Sequence, residues 1–178
     1  MMSLEYYLCR SAQGDALAAY QAARIMQFEN HSEYLVQAQL RKAASYGSVD
    51  AMRWLGFLGL NGKLLTPQST ITNPSYYNEY TQAYHWFTEG ALHGDTSCII
   101  AVSCCLQYGI GVKQDAQMSE AIMSGVKHGA SAEALIPIIL LFNLLLPASA
   151  PLSSLSQHSL VNLDFNQQGG PHGETPNI

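Results

Sequence analysis

Six histidines and four cysteines are the side chains of this sequence best suited to metal binding or covalent chemistry, and their spacing recommends neither. His85 precedes Glu89 by four residues, the interval of a surface pair on a helix. His93 and His128 each stand directly before a glycine. If those glycines end helices, both imidazoles lie in a last turn, at the negative end of the dipole. His31 falls in a turn, and His158 and His172 in a polar C-terminal stretch. Cys9, Cys98, Cys104 and Cys105 form no C-x-x-C pair. Adjacent Cys104 and Cys105 would point about 100° apart on a helix, poorly placed to share one metal ion. The four read as small buried apolar side chains of a reducing compartment. No H-E-x-x-H, G-x-S-x-G, P-loop or paired-carboxylate motif occurs. The residues therefore predict no metal, no cofactor and no enzyme.

The elements that would position these side chains are helical, and composition narrows the class first. The chain has 178 residues, 48% of them hydrophobic and only 12% charged. That charge density is about half the usual 25%, which implies much apolar and small-residue contact surface. With 8 Lys+Arg against 13 Asp+Glu, the chain lacks a cationic track for nucleic-acid phosphates. The sequence ALIPIILLFNLLLPA at 134–148 is shorter than the roughly 20 apolar residues of a spanning helix. Pro137, Asn143 and Pro147 also interrupt it. It reads as a buried terminal helix, so membrane attachment is not expected. Tyr6, Tyr7 and Arg10 spoil any secretory-signal pattern at the N-terminus, and the expectation is a cytoplasmic protein, or an exported one if the N-terminus is truncated.

Internal repetition organises the rest. Gly14-Asp15, Gly47-Ser48, Gly94-Asp95 and Gly129-Ala130 recur at intervals of 33, 47 and 35 residues. A helix-like stretch precedes each glycine (LEYYLCRSAQ, EYLVQAQLRKAASY, EYTQAYHWFTEGALH, AQMSEAIMSGVKH) and another follows it. Gly can end one helix in the left-handed conformation, and the next Asp or Ser can cap the following helix. Small residues such as Ala43, Ala44, Gly56, Gly90 and Ala91 recur near large aromatic ones, as close helix packing requires.

The stretch QAYHWFTEGALHGDTSCIIAVSCCLQYGIGVKQD resembles the Sel1-like repeat, a tetratricopeptide-like helical repeat. That pattern runs approximately A-x-x-W-Y-x-x-A-A-x-x-G-D-x-x-A-x-x-x-L-G-x-x-Y-x-x-G-x-G-V-x-x-D. Ala83, Trp86, Phe87, Gly90, Ala91, Gly94, Asp95, Gly109, Gly111, Val112 and Asp115 occupy its marked positions or similar ones. An earlier unit matches through Ala43, Ala44, Gly47, Ala51, Leu55, Gly56 and Gly62, and the first through Gly14, Asp15, Ala16, Ala18 and Tyr20. The likeness covers about residues 4–142. The first unit departs from it, with Glu29-Asn30-His31-Ser32 in place of the G-x-G turn, and Pro137 in the last suggests a kink or a helix start. The resemblance implies an all-α fold: an α-solenoid of antiparallel helix pairs, about three and a half repeats, with an irregular C-terminal tail. The solenoid would span 1–142, with units near 14–46, 47–93 and 94–128 and partial units at both ends. Residues 143–178 would form a poorly ordered low-complexity tail.

Such a solenoid implies a scaffold or adaptor that binds another protein in a concave groove. Counted from each repeat glycine, positions three, seven, ten and fourteen make one helical stripe. It runs through Leu17, Gln21, Arg24 and Phe28, then Asp50, Trp54, Phe57 and Asn61, then Ser97, Ala101, Cys104 and Tyr108. Gln21, Arg24, Phe28, Asp50, Trp54, Phe57, Asn61 and Tyr108 are the candidate partner-binding residues. Aromatic side chains there suit hot spots, and Arg24 suits a carboxylate; the same aromatics would alternatively complete the core. The insertion 63–78, with Pro67 and Pro74, reads equally as a functional loop or a tolerated one. Narrower alternatives implied by the resemblance are a neutralising, immunity-type partner of a secreted bacterial toxin and a hydrolase of an exported Sel1-like type.

Overall fold

The computed structural model describes residues 3–65, 79–131, 134–137 and 139, and among them it is helical, with no strand. Seven helices run in order: α1 Leu4–Ala12, α2 Ala16–Phe28, α3 Glu33–Ser45, α4 Val49–Leu60, α5 Glu79–Leu92, α6 Thr96–Tyr108 and α7 Ala116–Lys127. Residues 134–137 and 139 are helical as well. Each of the seven packs mainly on the helix before it and the helix after it. The insertion and tail readings lie largely outside the described residues, which include only 63–65 of the insertion and none of 143–178.

The repeated glycine turn explains why the helices stop and restart where they do. Gly14, Gly47, Gly94 and Gly129 all have positive φ, between 71° and 91°. At the first, the Gly14 N–H donates to the Ser11 carbonyl at 3.1 Å and the Asp15 N–H to the Arg10 carbonyl at 3.3 Å. The other three repeat this pair of bonds, the Schellman arrangement that satisfies orphan carbonyls at a helix end. The next helix is then capped at once. The Asp15 carboxylate accepts from Ala18 N–H at 2.9 Å and Asp95 from Cys98 N–H at 2.8 Å, and after the separate turn at Gly109 and Gly111 Asp115 accepts from Met118 N–H at 2.8 Å. The Ser48 hydroxyl accepts more weakly, from Ala51 N–H at 3.4 Å. Each such cap contributes about 1 kcal/mol. In the first unit, where the G-x-G turn is missing, Asn30 takes φ 57° in its place, a conformation that Asn tolerates better than most residues.

Close approach between helices follows from small residues facing large ones. A methyl group on Gly56 of α4 would lie 2.5 Å from the Phe87 ring of α5, and one on Gly59 would lie 2.8 Å from the Ala83 methyl. A methyl on Gly90 of α5 would lie 2.5 Å from the Cys98 sulfur of α6. The buried residues fall into two clusters rather than one. One includes Ala19, Val36, Leu40, Met52 and Leu55; the other includes Phe87, Ile99, Val102, Leu106, Ile122, Leu135 and Ile139. A buried hydroxyl pair, Ser103 and Ser119 at 2.9 Å, ties α6 to α7 without leaving either oxygen unmet.

Three sequence expectations need correction. Cys9 is exposed rather than buried, because it sits on a face of α1 that no following helix covers. His93 and His128 lie one residue past α5 and α7, not in the last turn. His128 is the C-cap of α7, and its Nδ1 lies 2.7 Å from the Ser124 carbonyl oxygen. Pro137 does not start its helix, since 134–136 are already helical.

Candidate partner-binding surface

The stripe residues of α2 sit at the water-facing side of that helix, opposite the alanines that seal its packing. Ala18, Ala19, Ala22 and Ala23 are buried, while Leu17, Arg24 and Phe28 are exposed and Gln21 is half-buried. Leu17 is 64% exposed and Phe28 83%, large apolar side chains open to water on the same helix face as Arg24. On α6, Tyr108 is 56% exposed, Ser97 is exposed, and Ala101 and Cys104 are half-buried.

On α4 the stripe behaves differently. Trp54 is half-buried and meets the Tyr20 ring of α2 edge-on, with centroids 6.1 Å apart. Phe57, 38% exposed, meets Phe87 of α5 edge-on at 5.3 Å. Both aromatics therefore hold neighbouring helices together while showing an edge to solvent, a geometry that adds about 0.5–1.5 kcal/mol per pair beyond burial. Asp50 is exposed, but its carboxylate pairs with Arg53, which also reaches Asp95 at 3.1 Å. That three-member ion group links the start of α4 to the N-cap of α6. Asn61 is exposed and donates from its side chain to the Phe57 carbonyl at 2.8 Å, closing the end of α4. Sequence spacing had placed these residues on one face; which of them neighbours would engage depended on Tyr20, Phe87 and Asp95.

A cleft elsewhere on the chain was not anticipated. An open cleft of about 490 Å³ lies between the α3–α4 turn and α5, lined by Tyr46, Met52, His85, Trp86, Glu89 and His93 among others. None of the stripe residues lines it. The available signal was the four-residue interval between His85 and Glu89, which puts both on one face of α5, with His93 a further four residues on, just past the end of that helix. Among the described residues, no three His, Cys, Asp or Glu side chains are grouped to hold a metal ion.

The thiols offer little reactivity where they are buried. Burial pushes the Cys98 and Cys105 thiols up to about 12, and raises that of Cys104 as well. A thiol with so high a value holds almost no thiolate at neutral pH, the form that reacts. With a thiol-specific reagent at pH 7, Cys9 is expected to label within minutes, while Cys98 and Cys105 label only in denaturant. Peptide mapping of the labelled chain checks this.

No family model matches the chain, and no curated protein sequence matches it. Solved structures share its fold. A Sel1 repeat protein from Oxalobacter formigenes superimposes with a TM-score of 0.57 and 18% identity, over 75% of this chain and 96% of its own. The structure of c5321, a protective antigen present in uropathogenic Escherichia coli strains and displaying an SLR fold, gives a TM-score of 0.51 and 20% identity. That match covers 86% of this chain but 38% of the antigen. The chain thus has the fold of Sel1 repeat proteins, and among the described residues no helix is long and apolar enough to cross a membrane.

Proposed function

From a chain with the Sel1-repeat fold, we propose a non-catalytic protein-interaction scaffold that holds a partner protein against the stripe on α2, α4 and α6. The observation that carries this reading is the exposure of Phe28 and Leu17 on the same helix face as Arg24. Burying one such side chain at an interface contributes about 1.5–3 kcal/mol. Helices already fixed by caps and packing limit the ordering cost of association. The net charge of −5 favours encounter with a basic partner. Neutralising a secreted toxin would be a narrower use of the same face.

The test uses residues that the fold does not need. Trp54→Ala with Phe57→Ala would remove contacts to Tyr20 and Phe87 as well as contacts to a partner, so helical stability would fall with it. Phe28→Ala with Arg24→Glu avoids this, because both side chains are exposed. With the partner identified by affinity capture and mass spectrometry, this double variant is expected to weaken binding by about tenfold or more, two interface contacts being lost. Its circular dichroism and denaturation midpoint should match wild type. Undiminished capture would refute the stripe assignment.

A further inference from the structure

The segment that follows α4 is held in a way that no other connection among the described residues repeats. Gln37 of α3 is 2% exposed. Its side-chain amide donates to the Lys63 carbonyl at 2.7 Å, and its side-chain oxygen accepts from the Leu65 N–H at 2.8 Å. One turn further along α3, the Arg41 guanidinium donates to the Leu65 carbonyl. Between these bonds Leu64 is buried, 2% exposed, in the cluster that includes Val36 and Leu40. Lys63 and Leu65 are exposed.

These contacts read a peptide backbone and one aliphatic side chain, nothing more. The three bonds go to main-chain groups flanking Leu64, and the neighbouring side chains take no part in them. A buried glutamine whose donor and acceptor both lose their partners is strongly disfavoured. Any other occupant of the site would have to offer the same main-chain groups and a similar aliphatic side chain. Gly62 (φ 64°) makes the turn between α4 and the segment.

We propose that the Gln37–Arg41 face of α3 is a docking site for an extended peptide with an aliphatic central residue. The chain's own Lys63–Leu65 occupies it in cis, and a partner's segment of the same form displaces that strap. This rests on the scaffold reading but concerns a different surface from the stripe. Tethering gives the cis occupant a high effective concentration, in the millimolar range for a short connection, so a trans ligand is disfavoured until the strap is weakened.

The probe is a fluorescein-labelled peptide with the sequence of residues 61–67, titrated into the full chain and followed by polarisation. The Leu64→Asp variant, whose strap no longer suits the apolar site, is expected to bind it at least about tenfold more tightly than wild type, the tethered competitor being gone. Adding Gln37→Ala to that variant should abolish binding, and a peptide carrying Leu64→Asp should not bind. Equal binding by wild type and the folded variant, or binding that survives Gln37→Ala, overturns the proposal. If Leu64→Asp loses its helical signal, amide exchange in the wild-type chain decides instead. A Leu65 amide that exchanges at least about a hundredfold faster than that of Leu40 supports local release of the strap; a smaller difference overturns it. None of these readouts involves Phe28 or Arg24, so the stripe and the strap stand or fall separately.

Discussion

Phe87→Ala is expected to destabilise the chain by about 3–5 kcal/mol, measured as a fall in the urea midpoint with little change in slope. Phe87 is fully buried, meets Phe57 edge-on, and lies against the bare backbone of Gly56. Truncation removes a large apolar group and leaves a cavity between α4 and α5 that rigid helices cannot collapse to fill. The reciprocal change makes the argument stricter. Gly56→Ala alone is expected to cost about 1–3 kcal/mol through overpacking, because its methyl would meet the ring at 2.5 Å. Combined with Phe87→Ala, the same methyl enters vacated space. The double variant should therefore be more stable than the sum of the two losses by at least about 1 kcal/mol, as coupled contacting sites usually show. Additive losses would mean that the two positions do not share a contact.

Gly111→Ala should be nearly as damaging, for a different reason. Gly111 has φ 68°, and an added methyl would overlap the backbone carbonyl of Tyr80 at the start of α5. Backbone does not swing aside as a flexible side chain does, so the turn after α6 would have to move off α5. Left-handed strain of about 1–2 kcal/mol adds to the overpacking, and the expected loss is about 3 kcal/mol or more. Gly14→Ala serves as the control. Its φ is 88°, but nothing lies within 4 Å of the added methyl. The loss there should be only the conformational part, about 1–2 kcal/mol. Thermal or urea unfolding of the two variants side by side separates steric from conformational cost; equal losses would contradict the packing described between residue 111 and α5.

Much of the helical order was legible because its causes are local. Gly14-Asp15 and Gly94-Asp95 carry both a helix stop and a helix start in two adjacent residues, and the helices end within a residue or two of where those pairs place them. Asn30 shows the limit of such reading. Its neighbourhood lacks glycine, yet the turn forms because Asn accepts the same backbone angles. The candidate surfaces were less legible. A stripe at helical spacing says which side chains share a face, but Trp54 and Phe57 are engaged by Tyr20 and Phe87, which come from other helices. The cleft beside Trp86 and the grip of Gln37 on residues 63–65 depend on how α3 and α5 meet distant parts of the chain, and no local pattern encodes that meeting.

The two separate clusters of buried side chains have a consequence for how such a molecule tolerates change. Where every helix leans on its chain neighbours, damage stays near its origin, and no single residue governs the whole. A lesion at Leu40 should loosen the amides around α3 and α4 long before those of α7, and one at Ile122 should do the reverse. Architecture of this kind is modular in the mechanical sense: a stretch can be repaired, lengthened or lost without redrawing the rest.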